Sequence, residues 1–143
     1  MIDPTVRPAT ADDVGQIAWL ESLARATLVG QRGGDRWLAT HAAHGGTPIG
    51  DATIWVATID AAVVGYLVST LDDGVARIVD VFVHPDAREV GFGDELLAAA
   101  VAAARRGGAS LLEGEALPGD RETKNLYERA GIKARLITVS TPL

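Results

Sequence analysis

Apolar residues recur along this chain in two periods. Val14, Ile17, Ala18, Leu20, Leu23 and Ala24, with Trp19 alongside, repeat at helical spacing. Thr10 stands ahead of them as a capping residue, and Asp13 puts a carboxylate where the helix dipole favours one. The pattern predicts a helix from Thr10 to about Val29, with a short strand over Thr5 to Ala9 before it. Gly30 through Gly34 break that helix. A second, carrying Trp37 and Leu38, is expected from Asp35 to about Ala43. Gly45, Gly46, Pro48 and Gly50 then make a loop.

From there the period changes. Thr53 to Ile59 is β-branched and aromatic, which reads as a strand. Asp60 and Ala61 turn the chain into a second strand, Val63 to Thr70. Leu71, Asp72, Asp73 and Gly74 form a hairpin turn of the acid-plus-glycine kind. Val75 to Val83 is a third strand, nearly all apolar except Arg77 and Asp80, and so is expected to be buried on both faces. Beyond Pro85 a glycine-containing loop leads into a helix from about Phe92 to Arg106. Leu96, Leu97, Ala100, Val101 and Ala104 form its apolar stripe, and Gly107 and Gly108 stop it. Ser110 to Ala116 is a further strand. Asp120 is a good N-cap for a helix that ends at Gly131, and Ala134 to Ser140 is the last strand. The order β-αα-βββ-α-β-α-β predicts one α/β (α+β) domain over residues 1–143, with a mixed sheet of about six strands flanked by helices.

Composition narrows the chemistry. Of the 143 residues, 48% are hydrophobic, enough for a core. The net charge of −6 argues against bulk attraction to nucleic acid and mildly favours a cationic substrate such as an amine. There are no cysteines, which excludes disulfides, thiolate metal sites and a cysteine nucleophile. Met1 to Pro8 contains Asp3 and no apolar run, so it is not read as a signal peptide. No stretch is long enough to span a bilayer, and a cytoplasmic location is the default expectation. His41 and His44 lie close in sequence, but two histidines alone make a poor metal site. They are expected at the surface, and no metal is expected.

The informative stretch is Val81-Phe82-Val83-His84-Pro85-Asp86-Ala87-Arg88-Glu89-Val90-Gly91-Phe92-Gly93. A strand, a short loop and two glycines lead into a helix. The first N–H groups of a helix have no intrahelical partner, and with the helix dipole they attract a diphosphate. Gly91 and Gly93 let phosphates approach the backbone. Arg88 can add a charged contact or brace the loop. The plainer reading is a tight strand-to-helix turn. The dinucleotide fingerprint needs a third glycine where Leu96 stands, so that rival fails.

Arg88-x-x-Gly91-x-Gly93, following Val83-His84-Pro85, resembles the acetyl-CoA-binding motif of the GNAT acetyltransferases. Leu126-Tyr127-Glu128-Arg129-Ala130-Gly131-Ile132 is similar to that family's second signature, and the order of elements fits along nearly the whole chain. The resemblance implies that backbone groups of Val81, Phe82 and Val83 bind the pantetheine arm of acetyl-CoA. It implies that the amides of Arg88, Glu89, Val90, Gly91, Phe92 and Gly93 hold the pyrophosphate. It further implies that Tyr127 lies near the sulfur and protonates the departing thiolate. The amine, of a small molecule or a protein, would attack the thioester directly. Small members of the family often pair, which makes a homodimer an expectation.

The chain departs from the family pattern in places. Glu89 and Val90 stand where many relatives have a glycine and a basic residue, and Asp94 follows the loop. These carboxylates work against a pyrophosphate unless they point away. Arg77 occupies the position of a glutamate base. Asp80 is the nearby alternative, with Glu113, Glu115 and His84 as further candidates. Asp120 and Thr123 replace the second motif's asparagine and alanine. Asp120 is therefore both a cofactor-side candidate and an N-cap. Only three residues follow Ser140, so the sheet is expected to be a strand short or to have its edge covered by a partner subunit. Trp37, beside Gly33 and Gly34, is the best acceptor-pocket candidate, and Trp19 and Trp55 are read as core. Arg77, Glu89 and Asp94 also motivate a second reading, a non-catalytic CoA-binding module.

Overall fold

The computed structural model of the chain describes residues 5–143. The Met1–Pro4 part of the N-terminal reading lies outside them. Among the described residues five strands form one sheet in sequence order: β1 (Thr5–Pro8), β2 (Thr53–Ile59), β3 (Ala62–Asp72), β4 (Val75–Val83) and β5 (Leu111–Gly114). The first four are antiparallel and β5 runs parallel to β4. The helices are α1 (Val14–Leu28), α2 (Gly34–Thr40), α3 (Phe92–Arg106) and α4 (Arg121–Arg129). This is the mixed α/β architecture expected. Among the described residues, no helix is long and apolar enough to cross a membrane.

The two-residue period of the strands sorts side chains to opposite faces. Ile54, Val56, Tyr66 and Val68 join Ile17, Leu20 and Ala24 of α1 in one buried cluster. Their neighbours Ala57 and Leu67 join Ile78, Phe92, Leu96, Leu97, Ala100, Leu126 and Tyr127 in a second cluster, under α3 and α4. Each fully buried Leu, Ile or Phe contributes roughly 1.5–3 kcal/mol. The stripe read on α3 therefore docks that helix on the sheet and fixes where its N-terminus points.

α1 begins after one 3-10 turn, Ala11–Asp13. Thr10 is the N-cap residue of that turn, and the Asp13 carboxylate three positions on reaches back to accept the Thr10 N–H at 2.8 Å. It also takes a bidentate pair from Arg7 at 2.7 and 3.0 Å, which ties β1 to α1. α2 ends at Thr40, short of Ala43. Arg25 of α1 donates to the carbonyls of Leu38 and His41 at its C-terminal end. The β3–β4 turn has Asp73 and Gly74 at φ 49° and 76°, the pair of left-handed residues that a two-residue hairpin requires.

Three further expectations differ in detail. β4 is not buried on both faces: Ala76 and Ile78 are buried, while Arg77 and Val79 are exposed. Its register against β3 shifts at this point, since Ile78 faces Ser69 and Asp80 faces Val68, which leaves Val79 as a bulge. β5 covers Leu111–Gly114 instead of Ser110–Ala116. Ala134 to Ser140 makes no strand, so the sheet is a strand short. Leu136, Ile137 and Val139 there are all more than four-fifths exposed. The β propensity of that stretch finds no ladder to join, and a strand without a paired edge is not stable.

Candidate active site

β4 and β5 pair only through Val75–Ile78 and Leu111–Gly114. Beyond Ile78 they separate, and the edge of β4 that faced β5 is left without a strand partner. A cleft of about 650 Å³ opens there. Asp80–Val83, Arg88, Glu89, Gly91–Gly93, Asp120 and Tyr127 all line it, so the structure gathers nearly every residue singled out from the sequence. Val90 does not line it and stands half-exposed beside it.

One end of the cleft is built to take an anion. Gly91 caps α3 at φ 90°, and a Cβ there would meet open space. The Glu95 N–H is the first to reach back, to the Gly91 carbonyl at 3.0 Å. The amides of Phe92, Gly93 and Asp94 thus lack intrahelical partners. A Cβ at Gly93 would make only ordinary contact, 3.4 Å from Leu126 of α4, so packing alone does not require a glycine there. Arg88 braces the loop: its Nε donates to the Val83 carbonyl at 3.2 Å, and its guanidinium lies 5.7 Å from the Phe82 ring centre. Asp94 lines the cleft as well, with its carboxylate neutralised by Arg129 Nε at 2.9 Å. Glu89 is the residue out of place. It adopts φ 68°, a left-handed conformation suited to glycine.

Tyr127 sits deeper, 8% exposed. Its phenol occupies the space above Gly114, where a Cβ would overlap the hydroxyl oxygen, and donates to the Glu115 carbonyl at 3.5 Å. Burial pushes its pKa well above the ordinary phenol value, and Asp120, Glu115 and Asp80 add to the shift. The phenol is therefore a proton carrier throughout the neutral range. Asp120 is the N-cap of α4, accepting the Thr123 N–H at 3.1 Å, and still lines the cleft.

On the other side of β4 the structure assembles a cluster that sequence reading did not foresee. Asp80 Oδ2 accepts the Tyr66 hydroxyl at 2.8 Å and lies 3.2 Å from His44 Nε2. Glu21 Oε2 lies 3.0 Å from the same nitrogen. The His44 side chain is thus largely enclosed, 10% exposed, contrary to its expected surface placement, with two carboxylates against its ring. Tyr66 is fully buried. One signal for Glu21 was available, as an acid on the apolar face formed by Ile17, Leu20 and Ala24. None marked His44 or Tyr66. The three ligand atoms lie within 4.8 Å of one another, close enough to hold a metal ion. However, Nδ1 of His44 accepts the Gly46 N–H at 3.0 Å, whereas a ligating histidine donates from its second nitrogen. The arrangement has the form of a hydrogen-bonded cluster.

The other candidates separate clearly. Glu115 lines the cleft, while Glu113 pairs opposite Arg77 on the sheet and does not. His84 is structural: its Nδ1 accepts the Asp86 N–H, and Trp19 stacks on it at 5.7 Å. Trp19 is 56% exposed, so it is not core. Trp55 is packed against the α3 side. Trp37 lines the cleft and also a second cavity of about 200 Å³, and stacks on His41 at 4.3 Å.

The model of the acetyltransferase (GNAT) domain family matches residues 50–131, more than half of the chain. The chain belongs to this family of acetyltransferases. Solved structures agree on the fold. The BH1408 protein of Bacillus halodurans, solved as a tetramutant, aligns with a TM-score of 0.77 at 18% identity, over 97% of this chain and 99% of that one. A ribosomal-protein-alanine N-acetyltransferase from Brucella melitensis biovar Abortus 2308 aligns at 0.72 and 20% identity, over 99% and 100%. The aminoglycoside N-acetyltransferase AAC(6')-Iy, solved with CoA, aligns at 0.69 and 15%, over 97% and 100%. No curated protein matches the sequence.

Proposed function

We propose that this chain is an N-acetyltransferase that moves an acetyl group from acetyl-CoA to a primary amine of a small molecule or protein. The observation that carries this reading is the continuity of the cleft. Unpaired α3 amides stand at one end, the unpaired edge of β4 runs along the side, and a buried phenol lies within it. The residues present fit the cosubstrate: the amides of Phe92, Gly93 and Asp94 would hold its pyrophosphate, and Val81–Val83 its pantetheine arm. Acetyl-CoA supplies a thioester that an amine attacks directly, so no covalent enzyme intermediate is needed.

The protein's own task is to orient and to move protons. Asp80 Oδ1, which receives no hydrogen bond among the described residues, accepts the proton that the arriving ammonium must lose. Tyr127 gives its phenolic proton to the departing sulfur. The second proton, lost by the nitrogen as the amide forms, restores the phenol. One proton leaves to solvent through Asp80, so the protons balance. A homodimer is part of this proposal, supported by the unpaired outer edge of β5 and by the exposed Leu136, Ile137 and Val139.

Thermal shift with acetyl-CoA, followed by thiol release with a panel of amines, tests the reading. Stabilisation and amine-dependent thiol release are expected. Binding without turnover for any amine would point to a CoA-binding module, and no shift with CoA would overturn both readings.

A further inference from the structure

The cluster behind Asp80 contains more than a general base requires. Glu21 is a buried acid in the middle of α1, 4% exposed. Both of its oxygens are in use: Oε1 accepts the Gly45 N–H at 2.9 Å and Oε2 the His44 N–H at 2.8 Å. A buried carboxylate is tolerated only when satisfied in this way. The loop cannot slide, because Gly46 is pressed onto α1, where a Cβ would run into the Val14 carbonyl. Within the loop the His44 ring has one tautomer available. Nδ1 is occupied as an acceptor, so Nε2 carries the proton, with hydrogen-bond geometry to Asp80 Oδ2 at 3.2 Å and Glu21 Oε2 alongside at 3.0 Å. With the Tyr66 hydroxyl, Oδ2 receives two donors and Oδ1 receives none among the described residues. Asp80 lines both the cleft and the second cavity, which Glu21, His44 and Val79 also line.

We propose that Glu21 and His44 are positioning residues for acyl transfer. Glu21 fixes the loop that carries His44, and His44 with Tyr66 locks Asp80 Oδ2, so that Oδ1 meets an ammonium arriving through the second cavity. This rests on the reading of Asp80 as the base. The two residues act on Asp80 with opposite sign. The Nε2–H of His44 stabilises the carboxylate, whereas Glu21 is a like charge beside it. The other charged or titratable groups facing Asp80 are Arg25 from α1, His41 at the end of α2, Tyr66 from β3 and Tyr127 from α4. Arg25 is engaged with backbone carbonyls.

The test measures thiol release against pH for Glu21→Gln, His44→Ala, His44→Gln and Asp80→Asn, with thermal shift by CoA as the check on fold and cosubstrate site. His44→Ala is expected to lower kcat about tenfold, leave KM for acetyl-CoA within about twofold, and move the acid limb of the profile up by about one pH unit. His44→Gln, whose amide can replace the Nε2–H, should recover most of the rate. Glu21→Gln should move the same limb down. A merely structural role would not separate the two variants in direction. Glu21→Gln and His44→Gln preserve side-chain volume and keep the test open if His44→Ala does not fold. If Asp80→Asn retains full activity, the base reading fails and this inference with it. If Asp80→Asn is inactive while His44→Ala keeps the wild-type rate and profile, the positioning inference alone is overturned.

Discussion

The two sides of β4 are made in different ways. On the α3 side, the groups that suit the cosubstrate belong to fourteen consecutive residues, Val81 to Asp94, and are mostly backbone groups. On the α1 side, the working groups come from positions 21, 44, 66 and 80, and every contact has a side chain at one end at least. The first site follows from a turn and a helix start. The second exists only once a helix, a loop and two strands have packed. One face can therefore be altered with local, predictable consequences, while the other responds to changes far from the chemistry.

The largest effect is expected on the local side. Gly91→Glu forces a side chain onto φ 90° and adds a carboxylate beside the free amides. CoA binding, read by calorimetry, should fall at least a hundredfold, since both the strain and the charge oppose it. Normal binding would remove the α3 turn from the site. Tyr127→Phe comes next. Loss of a positioned acid should lower kcat about a hundredfold with CoA affinity unchanged. An unaltered kcat would exclude the phenol from proton transfer.

Two smaller effects probe the supports of each side. Arg7 holds the Asp13 carboxyl down to about 2, partly opposed by burial and assisted by the Thr10 N–H. A group whose pKa is lowered in the folded state stabilises the fold above its unfolded value of 3.8, and loses that contribution as pH falls towards 2. Because Arg7 is 41% exposed and screened, this amounts to about 1 kcal/mol at neutral pH. Asp13→Asn should therefore lower Tm modestly and flatten the acid stability curve over that window. It should also weaken turnover more than CoA binding, because α1 carries Glu21. Equal losses on both sides would break the contrast. Glu89→Gly should be the gentlest change. It relieves a left-handed residue worth about 1 kcal/mol and removes an acid from the cleft, so Tm and CoA affinity should both rise slightly.

The sequence alone determined the order of elements as far as α4, the stripes of α1 and α3, the Asp73-Gly74 hairpin and the α3 turn. Each of these is encoded by neighbouring residues: periodicity, caps and glycines with positive φ act within a few positions of chain. The pairing of Asp94 with Arg129 and the exposure of Trp19 were outside that range. So was the failure of Ala134 to Ser140 to form a strand, because propensity proposes a strand and only a paired edge makes one. The Val79 bulge, and the meeting of Glu21, His44, Tyr66 and Asp80, were decided by the tertiary structure. A carboxylate and an imidazole 36 positions apart carry no mark of each other until a packed sheet brings them within 3.2 Å.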